Sequence, residues 1–77
     1  MPPIVEINLF ASLSRYEPEN KNHFPVNPGD SAEDVLKSLG VPLDEAKLIF
    51  INGIRKSLSS VLQNGDRLGV FPPVGGG

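Results

Sequence analysis

Hydrophobic and polar positions alternate from Ile4 to Phe10. Val5, Ile7 and Leu9 point one way; Glu6, Asn8 and Phe10 point the other. A period of two is that of a strand with one buried face. From Ala11 to Asn22 the period is lost, Pro18 intervenes, and the segment reads as a polar loop. His23 to Val26 predicts a second short strand with Phe24 and Val26 on one face. Pro25 has no N–H to give to a ladder, which confines that strand to a sheet edge. The two strands and their loop read as a hairpin-like pair.

Asn27-Pro28-Gly29-Asp30 then predicts a turn. Ser31 is an N-cap residue, and Ala32, Val35, Leu36 and Leu39 follow at the spacing of one helix face. Glu33 and Asp34 stand in the first turn, where the helix dipole favours negative charge. Gly40 marks the stop and Pro42 prevents resumption. A helix of about two turns does not hold alone in water and must lie on a sheet. Lys47 to Asn52 is a β-rich run, ending in the hairpin signal Asn52-Gly53, with Ile54 to Lys56 as the return strand. In that run we place Leu48 and Phe50 inward, which leaves Ile49 and Ile51 on the outer face. Leu58 to Leu62 reads as a single helical turn, and Gln63-Asn64-Gly65-Asp66 as another tight turn. Arg67 to Phe71 is the last strand, with Leu68 and Val70 on the core side, and Pro72-Pro73 ends it. The expected core is Val5, Ile7, Leu9, Val35, Leu36, Leu39, Leu62, Leu68 and Val70. This order gives an α+β chain, a mixed sheet with one main helix on one face, and it fits the β-grasp (ubiquitin-like) layout. Residues 1–71 form that domain and 72–77 a flexible tail.

Composition narrows the chemistry. The chain has 77 residues, enough for one domain. It has no cysteine and one histidine, His23, so disulfides, thiolate metal sites and the common zinc clusters are excluded. A net charge of −2 and a pI near 5.2 argue against a general nucleic-acid binder. No apolar run approaches the length of a membrane helix, and the start MPPIVEINLF does not read as a signal peptide. The expected location is the cytoplasm. His23 has no partner placed by spacing and reads as a solvated strand residue. Ser57, Ser59 and Ser60 form no nucleophile elbow. Gly75 to Gly77 lack the Lys-Ser/Thr and helix that a phosphate-binding loop needs. Asp30, Glu33 and Asp34 are explained by capping.

The tail carries the sharp signal. Pro72-Pro73 favours an extended exit, and Val74 leads into Gly75, Gly76 and Gly77, which lack Cβ atoms and can thread a narrow slot. A glycine α-carboxylate is the least hindered carboxylate a protein offers. A frayed end is the bland alternative.

The stretch from Ile51 to Gly77 resembles the MoaD/ThiS family of ubiquitin-like sulfur carriers. The resemblance rests on Asn52-Gly53, Leu62, the Asn64-Gly65-Asp66 turn, Leu68, Phe71-Pro72-Pro73 and the terminal Gly76-Gly77. Upstream, Leu9-Phe10-Ala11 and the run from Pro28-Gly29 to Leu39-Gly40 also match. Asn64 stands where aspartate is commoner, and Gly75 makes a triple glycine.

The resemblance implies a protein substrate and not an enzyme. It counts as the small subunit of molybdopterin synthase if paired with the large one. An adenylating, ubiquitin-activating-like enzyme uses ATP to adenylate the Gly77 carboxylate, Gly76 giving access to it. A sulfur donor protein then converts the adenylate to a thiocarboxylate. The chain itself binds no cofactor and no metal. The expected branch is molybdopterin or tungstopterin biosynthesis, with the synthase large subunit as partner. Thiamine thiazole formation, tRNA thiolation, cysteine synthesis, conjugation to lysines through Gly77 and an inert interaction module remain open. In a β-grasp sheet the first and last strands are parallel neighbours, so Phe10 and Phe71 should meet where the tail leaves. With Pro72, Pro73, Val74 and Gly75 they form the expected partner-binding set, which Ile49 and Ile51 would extend. Membrane and nucleic acid are not expected partners.

Overall fold

A computed structural model describes residues 2–73. Its elements are β1 (Ile4–Leu9), β2 (Phe24–Pro25), α1 (Ala32–Ser38), β3 (Leu48–Ile51), β4 (Ile54–Lys56) and β5 (Arg67–Phe71), with 3-10 turns at Ala11–Tyr16, Lys21–His23 and Leu43–Glu45. The strands form a five-stranded sheet in the order β2-β1-β5-β3-β4. The central pair β1 and β5 is parallel, with Ile7 beside Leu68 and Leu9 beside Val70. All other pairs are antiparallel. This is the β-grasp arrangement: α1 packs on one face of a mixed sheet and the opposite face is left open. As expected, β2 with Pro25 lies at an edge.

Helix α1 starts on a full capping box. The Ser31 Oγ accepts from the Asp34 N–H at 3.2 Å, and the Asp34 carboxylate accepts from the Ser31 N–H at 3.0 Å. Each satisfies a helix-end group that would otherwise lack a partner. Gly40 ends the helix with φ of +81°, a region that glycine enters without strain. The buried side chains form one cluster, in which Ile7, Leu13, Leu36, Leu68 and Val70 are fully enclosed.

The structure corrects several expectations. The segment after Phe10 is not an open loop. It turns at Ala11 (φ +53°), winds into a 3-10 helix and drives Leu13 into the core. His23 closes a 3-10 turn and is exposed, so β2 keeps only Phe24 and Pro25. Val26 is nevertheless buried. Leu58 to Leu62 makes no helical turn. A tight turn closes where the Ser60 N–H donates to the Ser57 carbonyl, and Val61 then pairs with Ser31. Leu39, at the helix C-cap, is only partly buried and packs against the cluster from its rim. The facing of β3 is the reverse of that expected. Ile49 and Ile51 are buried, while Leu48 and Phe50 lie on the open face. Register decides it: Ile49 sits beside Val70 and Ile51 beside Leu68, and both β5 residues face the helix. Ile49 and Ile51 therefore do not extend the outer patch.

Candidate functional site: the open sheet face and tail exit

The C-terminal motif divides into two parts at opposite ends of β5. At the start of β5, the Asn52-Gly53 turn has positive φ at both residues (+55° and +81°), the requirement of a tight hairpin turn. The Asn52 amide donates to the Asp66 carboxylate at 2.9 Å, and its carbonyl accepts from the Arg67 N–H at 3.0 Å. Asp66 also accepts from the Gln63 N–H at 2.7 Å. Asn64 accepts from the Ile4 N–H at 2.8 Å, so the amide at this position ties β1 to the turn. Asn52, Asn64, Gly65 and Asp66 are thus builders that fix where β5 begins.

The other end of β5 carries the exit. The Phe10 N–H donates to the Val70 carbonyl at 3.1 Å, and the Lys47 N–H to the Phe71 carbonyl at 3.0 Å. The end of β5 is therefore held from both sides up to Phe71. Phe10 and Phe71 stack with ring centroids 4.2 Å apart and planes 5° from parallel. Phe50 meets Phe71 edge-on at 5.7 Å. The expected meeting of Phe10 and Phe71 is observed, and Phe50 joins them where Ile49 and Ile51 do not. Phe10 is 41% exposed, a large apolar ring left in water at the point where the chain leaves the sheet. Pro72 and Pro73 follow directly. Val74, Gly75, Gly76 and Gly77 lie outside the described residues, and with them the expected reacting carboxylate.

Sequence reasoning missed Phe50, whose phase is hidden in the uninterrupted apolar run Leu48 to Ile51. It also missed Gly69. A glycine inside a strand was the available signal, since it weakens the strand and marks close approach of another group. Among the described residues no group of three or more acidic or histidine side chains is placed to hold a metal. No described helix is long and apolar enough to cross a membrane.

Fold and open face together define a small ubiquitin-like carrier domain: a β-grasp sheet with an aromatic patch at the exit of its last strand. The chain belongs to the Mut7-C ubiquitin family, whose sequence model matches residues 3–75. Among solved structures it is similar to SAMP1 from Haloferax volcanii, at 26% sequence identity and a TM-score of 0.64. That match covers 95% of this chain and 98% of that one. No curated protein matches it. The family and the structural match support the resemblance to ubiquitin-like sulfur carriers.

Proposed function

We propose that the chain is a sulfur carrier that presents its Gly77 carboxylate to an adenylating, ubiquitin-activating-like enzyme. The carboxylate oxygen attacks the α-phosphorus of ATP, pyrophosphate leaves, and a mixed anhydride forms. A sulfur nucleophile from a donor protein then attacks the carbonyl carbon. The bond to AMP breaks, AMP leaves with the electron pair, and a thiocarboxylate remains after sulfur release. This chain supplies a docking face and an unhindered end; acids, bases and metals belong to its partners. The observation that carries the reading is the Phe10–Phe71 stack, set at the end of β5 where Pro72-Pro73 lead into a glycine tail. The Phe71-Pro72-Pro73-Val74 run favours the molybdopterin or tungstopterin branch, with a larger synthase subunit as acceptor.

A second reading, a modifier joined to target lysines through Gly77, is favoured by the ubiquitin family membership. Intact mass of the protein from its native host separates the two. A sulfur-for-oxygen shift supports the carrier, and isopeptide conjugates support the modifier. Reconstitution with activating enzyme, ATP and a sulfur donor tests the tail directly. Removing Gly77 displaces the reacting carbon by up to about 3.5 Å, and an offset of about 1 Å can cost on the order of a hundredfold in rate. Thiocarboxylate yield should therefore fall sharply, and Gly76→Val should fall with it. Full sulfur transfer by a chain lacking Gly76 and Gly77, or a native polypeptide continuing past Gly77, overturns the reading.

A further inference from the structure

Tail chemistry makes no use of Gly69 or of the arginines on the same face. Gly69 lies in the middle of β5, between the buried Leu68 and Val70, with its own face turned to the open side. Its φ is not in the left-handed region, so the backbone does not require glycine there. Packing does not require it either. An added Cβ would meet Phe10 Cε2 at 3.5 Å and Phe50 Cβ at 4.0 Å, both ordinary contacts. What the missing side chain does create is a hollow of about 400 Å³ in the open face. Gly69 lines it together with Phe10, Phe50 and Phe71, and Glu6, Asn8 and Arg67 stand around it.

The charges beside the hollow are unbalanced. Arg67 and Glu6 are register neighbours on β5 and β1, yet they form no ion pair. The Glu6 carboxylate instead accepts from the Asn8 amide at 2.8 Å. Arg55 sits opposite Phe50 on the same face and, among the described residues, also has no acidic partner. Sheet geometry puts Arg67 about 7 Å along β5 from Gly69, and Arg55 about 10 Å across two strands. A face-to-face second copy would gather all of these guanidiniums in one interface, where like charges repel.

We propose that the hollow over Gly69 seats one aliphatic side chain of a partner protein, with an acidic residue of the same segment paired to Arg67. The inference rests on the carrier reading only in taking the occupant to be a partner protein. The seat supplies apolar burial against the aromatic walls. The arginine supplies a charge-assisted, geometrically selective hydrogen bond. Gly69 and Arg67 are thereby specificity determinants of the docking face.

The test uses the full chain, ¹⁵N-labelled, and three blocked pentapeptides: Ser-Asp-Leu-Asp-Ser, Ser-Asp-Ala-Asp-Ser and Ser-Lys-Leu-Lys-Ser. The first should give saturable amide shifts at Phe10, Phe50, Gly69 and Phe71 below about 10 mM, in the weak range expected of one seated side chain. Replacing its leucine by alanine should weaken binding about fivefold to tenfold, for partial burial of the lost carbons. Gly69→Ala should weaken the leucine peptide at least about threefold while the protein melts at or above the parent temperature. Arg67→Glu should reverse the preference toward the lysine peptide. Absence of shifts on the open face, equal affinity for leucine and alanine peptides, or indifference to Arg67→Glu overturns the proposal. Thiocarboxylate formation is read separately by intact mass, so failure of the seat and failure of the carrier reading are told apart.

Discussion

Leu13 is the sharpest test of how this small domain holds together. It lies in the polar stretch after β1, yet it is completely buried. The chain brings it there by turning at Ala11 and closing a 3-10 helix, where the Leu13 N–H donates to the Phe10 carbonyl at 3.0 Å. Leu13→Ala removes three buried carbons. At about 0.8 kcal/mol each this forfeits about 2.4 kcal/mol of transfer free energy, and the residual cavity brings the range to about 2–5 kcal/mol. A chain of this length is stable by about 4–11 kcal/mol, so the change consumes a large fraction. At about 4–8 °C per kcal/mol for a domain of this size, the melting temperature should fall by at least about 10 °C. The assay is thermal unfolding by circular dichroism, with Leu36→Ala, also fully buried, as the reference. If Leu13→Ala melts within about 2 °C of the parent while Leu36→Ala does not, the segment is a dispensable loop and the packing argument fails.

Asn52→Ala should destabilise by about 1–3 kcal/mol, losing two side-chain hydrogen bonds and a residue tolerant of positive φ; Asn52→Gly should cost less, and equal losses in urea unfolding would rule out the backbone contribution. Asp34 is held below the ordinary carboxylate value of 3.8, first by the Ser31 N–H and then by the Ser31 hydroxyl. A lowered folded-state value means its contribution is complete above 3.8 and is lost as pH falls below that, through the folded value. Asp34→Ala should flatten that part of the acid limb, and an unchanged profile of stability against pH would dismiss the cap as its source. Phe71→Ala should weaken binding to the activating enzyme by about 1–3 kcal/mol and lower the melting temperature less than Leu36→Ala; calorimetric affinity that stays constant for every partner removes Phe71 from the docking face.

The fold was legible wherever the chain alternates or caps. Val5, Ile7 and Leu9 are separated by polar or exposed residues, so their facing follows from the pattern. Ser31, Asp34 and Gly40 bracket α1 because each answers a requirement of a helix end. Legibility failed where the pattern has no contrast. In Leu48 to Ile51 every residue is apolar, and only pairing with β5 selects Ile49 and Ile51 for the core. Leu13 stands alone among polar neighbours, and a single leucine carries no period. At the site, the Phe10–Phe71 contact followed from topology, because parallel neighbours ending together bring their terminal side chains together. Phe50 did not follow, since its position inherits the ambiguity of β3.

The two ends of β5 explain why a specific motif can sit beside a tolerant scaffold. At the Arg67 end, Asn52, Asn64 and Asp66 spend their polar atoms on backbone groups and on one another, which fixes the strand's starting register. A one-residue slip of β5 would turn Leu68 and Val70 outward and Gly69 and Phe71 inward, exchanging core for docking face. The turn chemistry therefore has a consequence about five residues away, at the rate of about 3.3 Å per residue along a strand. Because β5 is held by hydrogen bonds up to Phe71, that register is carried to the exit. Residues beyond Pro73 belong to none of the buried cluster. Changes at Gly76 or Gly77 should therefore alter chemistry without altering folding, whereas changes at Asn52 or Asp66 should act on both through the placement of Phe71.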